Sequence, residues 1–214
     1  RISNPASNPE LLQELGKRFT EYHYDFKKLV RDICTSRTYQ LASEPNDSNE
    51  GDTRNFAHAG LRRIRAELFL DSITEVTETR NKFQGLPLGA RAVQIADGNA
   101  TTYFLTTFGR ATRETVCSCE VKLDPTLSQS LHLMNGDTTT SKIQQGNLVG
   151  KLLAEKKSPH QVIEELYIRC LSRQPDGKEL AELDKALVTE PNQQKALEDV
   201  FWALLNSREF MFNH

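Results

Sequence analysis

Apolar residues recur at helical spacing along most of the chain, and the places where they stop doing so divide it. Leu11, Leu12, Leu15 and Phe19 fall on one helix face. Ser7-Asn8-Pro9-Glu10 ahead of them has the order of a capping box, with Ser7 as the cap and Glu10 reaching back to it. A first helix is therefore predicted to run to about Tyr22. Asp25 caps a second, with Phe26, Leu29, Val30, Ile33 and Cys34 on one face, fading near Leu41. Glu44 to Asn55 crowds Pro, Asn, Asp, Ser and Gly together and reads as a long polar loop. A third helix is predicted from Arg62 to Thr79, with Leu68, Phe69, Ile73 and Val76 as its stripe. Arg63 and Glu67 stand four apart and are expected to pair on its exposed face.

From Phe83 to Asp124 the helical period fails. Gly85, Pro87 and Gly89 mark turns, and Arg91 to Ile95 reads as one short strand. After Pro125 the period returns. Leu127, Leu131 and Met134 predict a short helix closed by Asn135-Gly136. Another is predicted from about Thr139 to Lys156, with Ile143, Leu148 and Leu152 inward. Ser158-Pro159 opens the next, striped by Val162, Ile163, Leu166, Cys170 and Leu171. Asp176-Gly177 opens a helix bearing Leu180, Leu183 and Leu187. The last starts near Pro191 and buries Leu197, Val200, Phe201, Leu204 and Leu205, with Trp202 at the edge. The fold class is mainly α: a helical bundle with a long irregular segment, holding at most one or two short strands, between N-terminal and C-terminal helices. The expected organisation is a single domain over 1–214, with helices in 1–80, the irregular segment in 81–124 and the bundle in 125–214.

Composition narrows the class without naming a reaction. The 214 residues suffice for a sizeable core. At 37% hydrophobic and 26% charged residues the chain reads as globular, not disordered. A net charge of −2 gives no electrostatic footprint for nucleic acid or an anionic membrane. No apolar run approaches the roughly 20 residues of a membrane span. No nucleophile elbow, phosphate loop or dinucleotide fingerprint is present.

The most chemically specific stretch is Tyr103 to Glu120, where an aromatic run, a Gly-Arg corner and a Cys-x-Cys pair adjoin. Irregular segments of this length are more often functional than random. The candidate cluster is Arg110, Cys117, Cys119, Glu120 and Asp97. In extended backbone Cys117 and Cys119 put both thiols on one side. They suit structural disulfides, a soft-metal site or a redox pair. A direct Cys117–Cys119 bond would close a strained small ring. A zinc site would have to draw on Cys34, Cys117, Cys119 and His132, and no local spacing enforces one, so no metal site is assigned. Cys34 and Cys170 both sit on apolar stripes and read most simply as core, Cys34 otherwise as a partner of the pair. Asp97 and Glu120 are the carboxylates placed for general acid–base work, although Asp97-Gly98-Asn99 is also a plain turn signal. Arg37, Arg62, Arg63 and Arg113 are candidate anion-binding residues, joined in sequence by Arg54, Arg65, Arg91 and Arg110. Converging arginines would suit an acidic or sulfated glycan. The competing reading is structural, with arginines holding loop carbonyls and pairing with Glu67, Asp71, Asp97, Glu114 and Glu120.

Several stretches together resemble a known family. They are Asn4-Pro5-x-Ser7-Asn8-Pro9-Glu10-Leu11-Leu12, Ile33-Cys34-x-Ser36-Arg37-Thr38-Tyr39-Gln40-Leu41, Arg54-Asn55-Phe56 and Phe108-Gly109-Arg110. Cys117-x-Cys119-Glu120, Leu131-His132-Leu133-Met134-Asn135-Gly136-Asp137 and Leu204-Leu205-Asn206-Ser207-Arg208-Glu209-Phe210 continue the match in order. The sequence resembles the planctomycete cytochrome-linked domain of unknown function 1553. The resemblance implies an exported, periplasmic or cell-envelope location and a place toward the C-terminal end of a larger multidomain polypeptide. It also implies c-type haem on a separate domain. This chain has no Cys-x-x-Cys-His, so no cofactor is expected in it. An upstream Asn-Arg-x-Trp-like stretch of the family is not found here. The first helix's apolar stripe is expected to be covered by preceding sequence or another chain. An oxidising location favours a disulfide from Cys117 or Cys119 to another part of the fold, with Cys34 as the expected partner. Expected partners are the upstream domains, another chain or a cell-surface glycan. Two functions follow: a non-catalytic scaffold or interaction module, or a redox or polysaccharide-directed enzyme with its site around the Cys-x-Cys segment.

Overall fold

A computed structural model describes residues 5–52, 55–112, 114, 121, 126–135 and 137–213. The chain is mainly α, as the periodicity predicts. It forms two compact units, one running to Leu61 and the other from Arg62 to Asn213.

The first unit is a pair of helices and a polar loop. Helix α1 (Pro9–Glu21) starts one residue later than the capping box required. Its cap is Asn8, whose side chain makes no capping bond. Pro9 instead presets the first turn, and Glu10 lies against the helix's positive end. His23 and Tyr24 take left-handed backbone (φ 51° and 63°) to turn the chain. Asp25 then caps α2 (Phe26–Cys34), accepting from the amides of Lys27 (3.0 Å) and Lys28 (3.3 Å). The helix ends at Cys34, well short of Leu41. Thr35 Oγ1 donates back to the Arg31 carbonyl (2.8 Å) and Ser36 Oγ to that of Ile33 (2.7 Å), and the chain turns. The two helices meet through polar groups: Tyr22 Oη donates to Asp32 (2.5 Å), and Arg18 lies 3.5 Å from the same carboxylate. The polar loop ties to itself, Asp52 accepting from the amides of Asn55 (2.9 Å) and Ala57 (3.0 Å). Neither α1 nor α2 buries a residue.

The second unit holds the core. Its ends are stitched together: β1 (Arg62–Arg63) pairs antiparallel with β2 (Phe212–Asn213), Arg62 opposite Asn213. That pairing keeps Arg62 and Arg63 out of the predicted helix, and α3 runs only from Ala66 to Val76. Phe69 and Ile73 are fully buried, whereas Leu68 is 43% exposed. The predicted strand at Arg91–Ile95 is a 3-10 turn, Ala92–Gln94. The buried Asp71 carboxylate accepts from the amides of Ala92 (2.6 Å) and Val93 (3.3 Å) and curls the chain.

Helix α4 (Tyr103–Thr107) follows, then α5 (Leu127–Asn135). The predicted helix from Thr139 to Lys156 is two, α6 (Asp137–Gly146) and α7 (Leu148–Ala154), separated by left-handed Asn147 (φ 48°). At Gly146 the close approach is decisive: a Cβ there would lie 1.8 Å from the Thr77 carbonyl oxygen. Only glycine lets α6 pack against the end of α3. Ser158 caps α8 (Pro159–Leu171) and Asp176 caps α9 (Gly177–Thr189), each in a full capping box. Asn192 caps α10 (Gln193–Leu205), which packs against α6, α7, α8 and α9. Its Leu197, Phe201 and Leu205 meet Val162, Ile163 and Leu166 of α8 in the same core cluster, all of them fully buried. A short helix missed by the periodicity, α11 (Arg208–Met211), leads from α10 to β2.

Candidate functional site

The Phe-Gly-Arg motif is a helix stop before it is anything else. Gly109 takes φ 77°, its amide donates to the Thr106 carbonyl (3.1 Å), and the Arg110 amide donates to that of Leu105 (2.9 Å). This is the Schellman pattern, in which glycine supplies the left-handed residue after the cap. It turns Arg110 toward residues 95–100.

There the guanidinium meets backbone oxygens. Nη1 donates to the carbonyls of Ala100 (2.8 Å) and Gly98 (3.3 Å), and Nη2 to those of Ile95 and Asp97 (both 3.1 Å). Nε faces Glu67 at 3.4 Å. The side chain is 1% exposed. Guanidinium has five N–H groups in a fixed fork; here both terminal nitrogens are bound to carbonyls, while Nε faces Glu67 without a hydrogen bond. Glu67 thus pairs with Arg110 and not with Arg63 on an exposed face. Arg63 is itself buried, donates to the Phe108 carbonyl (3.2 Å) and lies over the Phe108 ring, 5.6 Å from its centroid.

Of the sequence-derived cluster, the described structure brings together Arg110 and the Asp97 backbone. The Asp97 carboxylate is exposed and accepts from the Asn99 amide (2.9 Å), closing a local turn. Its carbonyl, not its acid, meets Arg110. Cys117, Cys119, Glu120 and Arg113 lie outside the described residues. Arg37 is exposed in the first unit and Arg62 on β1. Arg91 lies 3.5 Å from Asp71.

Cys34 is an exposed free thiol at the end of α2, so it is not core. Cys170 is a free thiol packed against the core, and burial pushes its pKa up to about 12. A thiol held protonated in this way is a poor nucleophile. His132 sits among the rings of Tyr103, Phe104 and Phe108, with Nε2 3.0 Å from Thr138 Oγ1. Among the described residues no three His, Cys, Asp or Glu side chains gather as a metal site.

Two polar sites escaped the sequence reading. Lys142 on α6 is buried and donates to Asn81 Oδ1 (2.7 Å) and Thr79 Oγ1 (3.0 Å). Desolvation lowers its pKa. Arg173 clasps two carboxylates, Glu179 (2.8 and 2.8 Å) and Glu209 (2.7 and 2.8 Å), over the Tyr167 ring. This clasp borders a cleft of about 230 Å³, floored by Leu171, Leu183, Val200 and Leu204. Hydrogen bonds from Arg173 hold the Glu179 carboxyl below its ordinary range. Neither site leaves a signal in sequence, because partners 36 and 61 residues apart share no local spacing.

The family model described as protein of unknown function (DUF1553), PSD1, matches residues 1–187. The chain belongs to this family. No curated protein and no solved structure matches it. In this member of the family Phe108-Gly109-Arg110 forms a helix terminus and a buried arginine clamp.

Proposed function

We propose that this DUF1553 chain is a non-catalytic interaction module of an exported, cytochrome-linked envelope protein. The observation that carries the reading is the state of Arg110. The cation at the centre of the candidate cluster is buried, its two terminal nitrogens bound to four loop carbonyls and its Nε facing Glu67, so it presents no N–H to a substrate anion in solvent. Asp97, the companion acid, closes a surface turn. Apolar side chains left uncovered on the first unit supply a surface for docking. Export and the link to a haem-bearing domain come from the family resemblance. A disulfide from Cys34 to Cys117 or Cys119 would belong to the same reading in an oxidising compartment; in this structure Cys34 is a free thiol, and Cys117 and Cys119 lie outside the described residues.

The test compares two sets of variants in the full-length protein in its own host. Cluster variants Cys117→Ser, Cys119→Ser and Glu120→Gln are set against a surface variant, Phe26→Glu. Envelope fractionation and native-gel complex size report docking, and growth reports function. The module reading expects docking and growth to fail together in the surface variant. Loss of growth in the cluster variants with docking intact would replace it with the enzyme reading.

A further inference from the structure

The uncovered surface is chemically biased, and the bias lies on α2. At about 100° per residue, Phe26, Val30, Ile33 and Cys34 share one arc of the helix. All four are exposed, Phe26 by 68%. One border of the arc carries Lys27 and Arg31, with Lys28 beyond them. The other carries Leu29 and Asp32, where α1 packs. Asp32 is held by Tyr22 and Arg18, and Asp25 by the amides at the helix start. Among the described residues no ion pair involves Lys27, Lys28 or Arg31, although Lys28 Nζ lies 5.8 Å from the Tyr22 ring centroid. Tyr24, 67% exposed, precedes the helix and meets the Phe19 ring edge-on, centroids 5.4 Å apart.

An exposed apolar stripe bordered by uncompensated cations, with aromatic residues at one end, is the pattern of a helix that lies in the headgroup region of a bilayer. We propose that α2 docks the module onto an anionic lipid surface, with Phe26, Val30 and Ile33 inserted and Lys27, Lys28 and Arg31 on lipid phosphates. The proposal rests on the interaction-module reading and names its partner. The net charge of −2 is no obstacle, because contact depends on charge within a Debye length of the surface. On α1 the carboxylates of Glu14 and Glu21 face Arg18 (3.1 Å) and Lys17 (4.0 Å) of the same helix, while Glu10, Glu44, Asp47 and Glu50 of the first unit are exposed, so a second copy is the competing occupant that the test below separates.

The test is flotation of the purified 214-residue chain with two kinds of vesicle: phosphatidylcholine alone, and an equal mixture with phosphatidylglycerol. Binding to the mixture and not to phosphatidylcholine is expected, weakening as salt is raised. Lys27→Glu with Arg31→Glu should lower partitioning about tenfold or more. Phe26→Ser with Val30→Ser should do the same. Because these side chains are exposed, unchanged circular dichroism melts will show that the variants fold. Equal binding to both vesicles, indifference to the substitutions, or no binding at all overturns the proposal. So does a concentration-dependent dimer that Phe26→Ser abolishes, which would assign the face to a second copy. Any of these leaves the module reading to its own envelope assay.

Discussion

The two units carry the same kind of amphipathic pattern to opposite ends. In the second unit, stripes on α3, α8 and α10 converge until Phe69, Ile73, Ile163, Leu166, Leu197, Phe201 and Leu205 have no measurable contact with solvent. In the first, α1 and α2 have stripes as regular, yet Leu11, Leu12, Phe26, Val30 and Ile33 all stay exposed. Periodicity states which face of a helix wants cover. It does not state whether the cover lies in the same chain. The comparison also separates two kinds of arginine. In the second unit Arg63, Arg110 and Arg173 hold carbonyls and carboxylates, while Arg31 and Arg37 of the first unit are exposed.

The contrast is most easily broken at Arg110. Arg110→Met leaves four carbonyls without their donor and Glu67 without its cation in a buried site. Losing one partner of a buried charge network costs about 3–5 kcal/mol. Urea denaturation monitored by tryptophan fluorescence should show that loss, and a change under about 1 kcal/mol would return Arg110 to the list of ligand-binding residues.

Gly146→Ala comes next. The added methyl meets the Thr77 carbonyl oxygen, which belongs to the backbone and gives way only if α6 shifts. Overpacking of this kind costs about 1–3 kcal/mol, read from the same melts. A neutral substitution would mean that α6 and α3 are less tightly joined than the contact indicates.

A smaller effect is expected at the Arg173 clasp, and its pH dependence has a definite sign. The folded-state pKa of Glu179 is depressed, chiefly by hydrogen bonds from Arg173. Its contribution to stability is therefore fully present above the ordinary glutamate pKa and lost as pH falls through the depressed folded value. Glu179→Gln should lower the melting temperature at neutral pH, and the gap to the parent should close in acid. A gap that persisted unchanged well below pH 4 would show that the side chain acts through packing alone.

The smallest effect belongs to the first unit. Phe26→Ser and Val30→Ser should change the stability of the isolated chain by no more than about 0.5 kcal/mol, as for surface positions generally. A large loss would show that the α2 face is covered after all.

Helices, caps and stripes were legible because each depends on neighbours three or four residues away. Asp25, Ser158 and Asp176 cap where their sequences place them. What escaped depends on distant partners. Arg62 and Arg63 leave the predicted helix because residues 212–213 pair with them, and the expected strand at Arg91–Ile95 curls because Asp71 takes its amides. The alternative in which arginines hold loop carbonyls was legible in kind. Which arginine did so became visible only when the Schellman turn at Gly109 aimed Arg110 at residues 95–100.

The central claim is that a self-sufficient core in the second unit carries a first unit whose face is kept open for docking. Amide hydrogen exchange along the purified chain, alone and with anionic vesicles, tests it directly. The expected result is strong protection across α10 in both states, with fast exchange in α1 and α2 alone that slows when vesicles are added. Protection in α1 and α2 equal to that of α10 in the chain alone would contradict it.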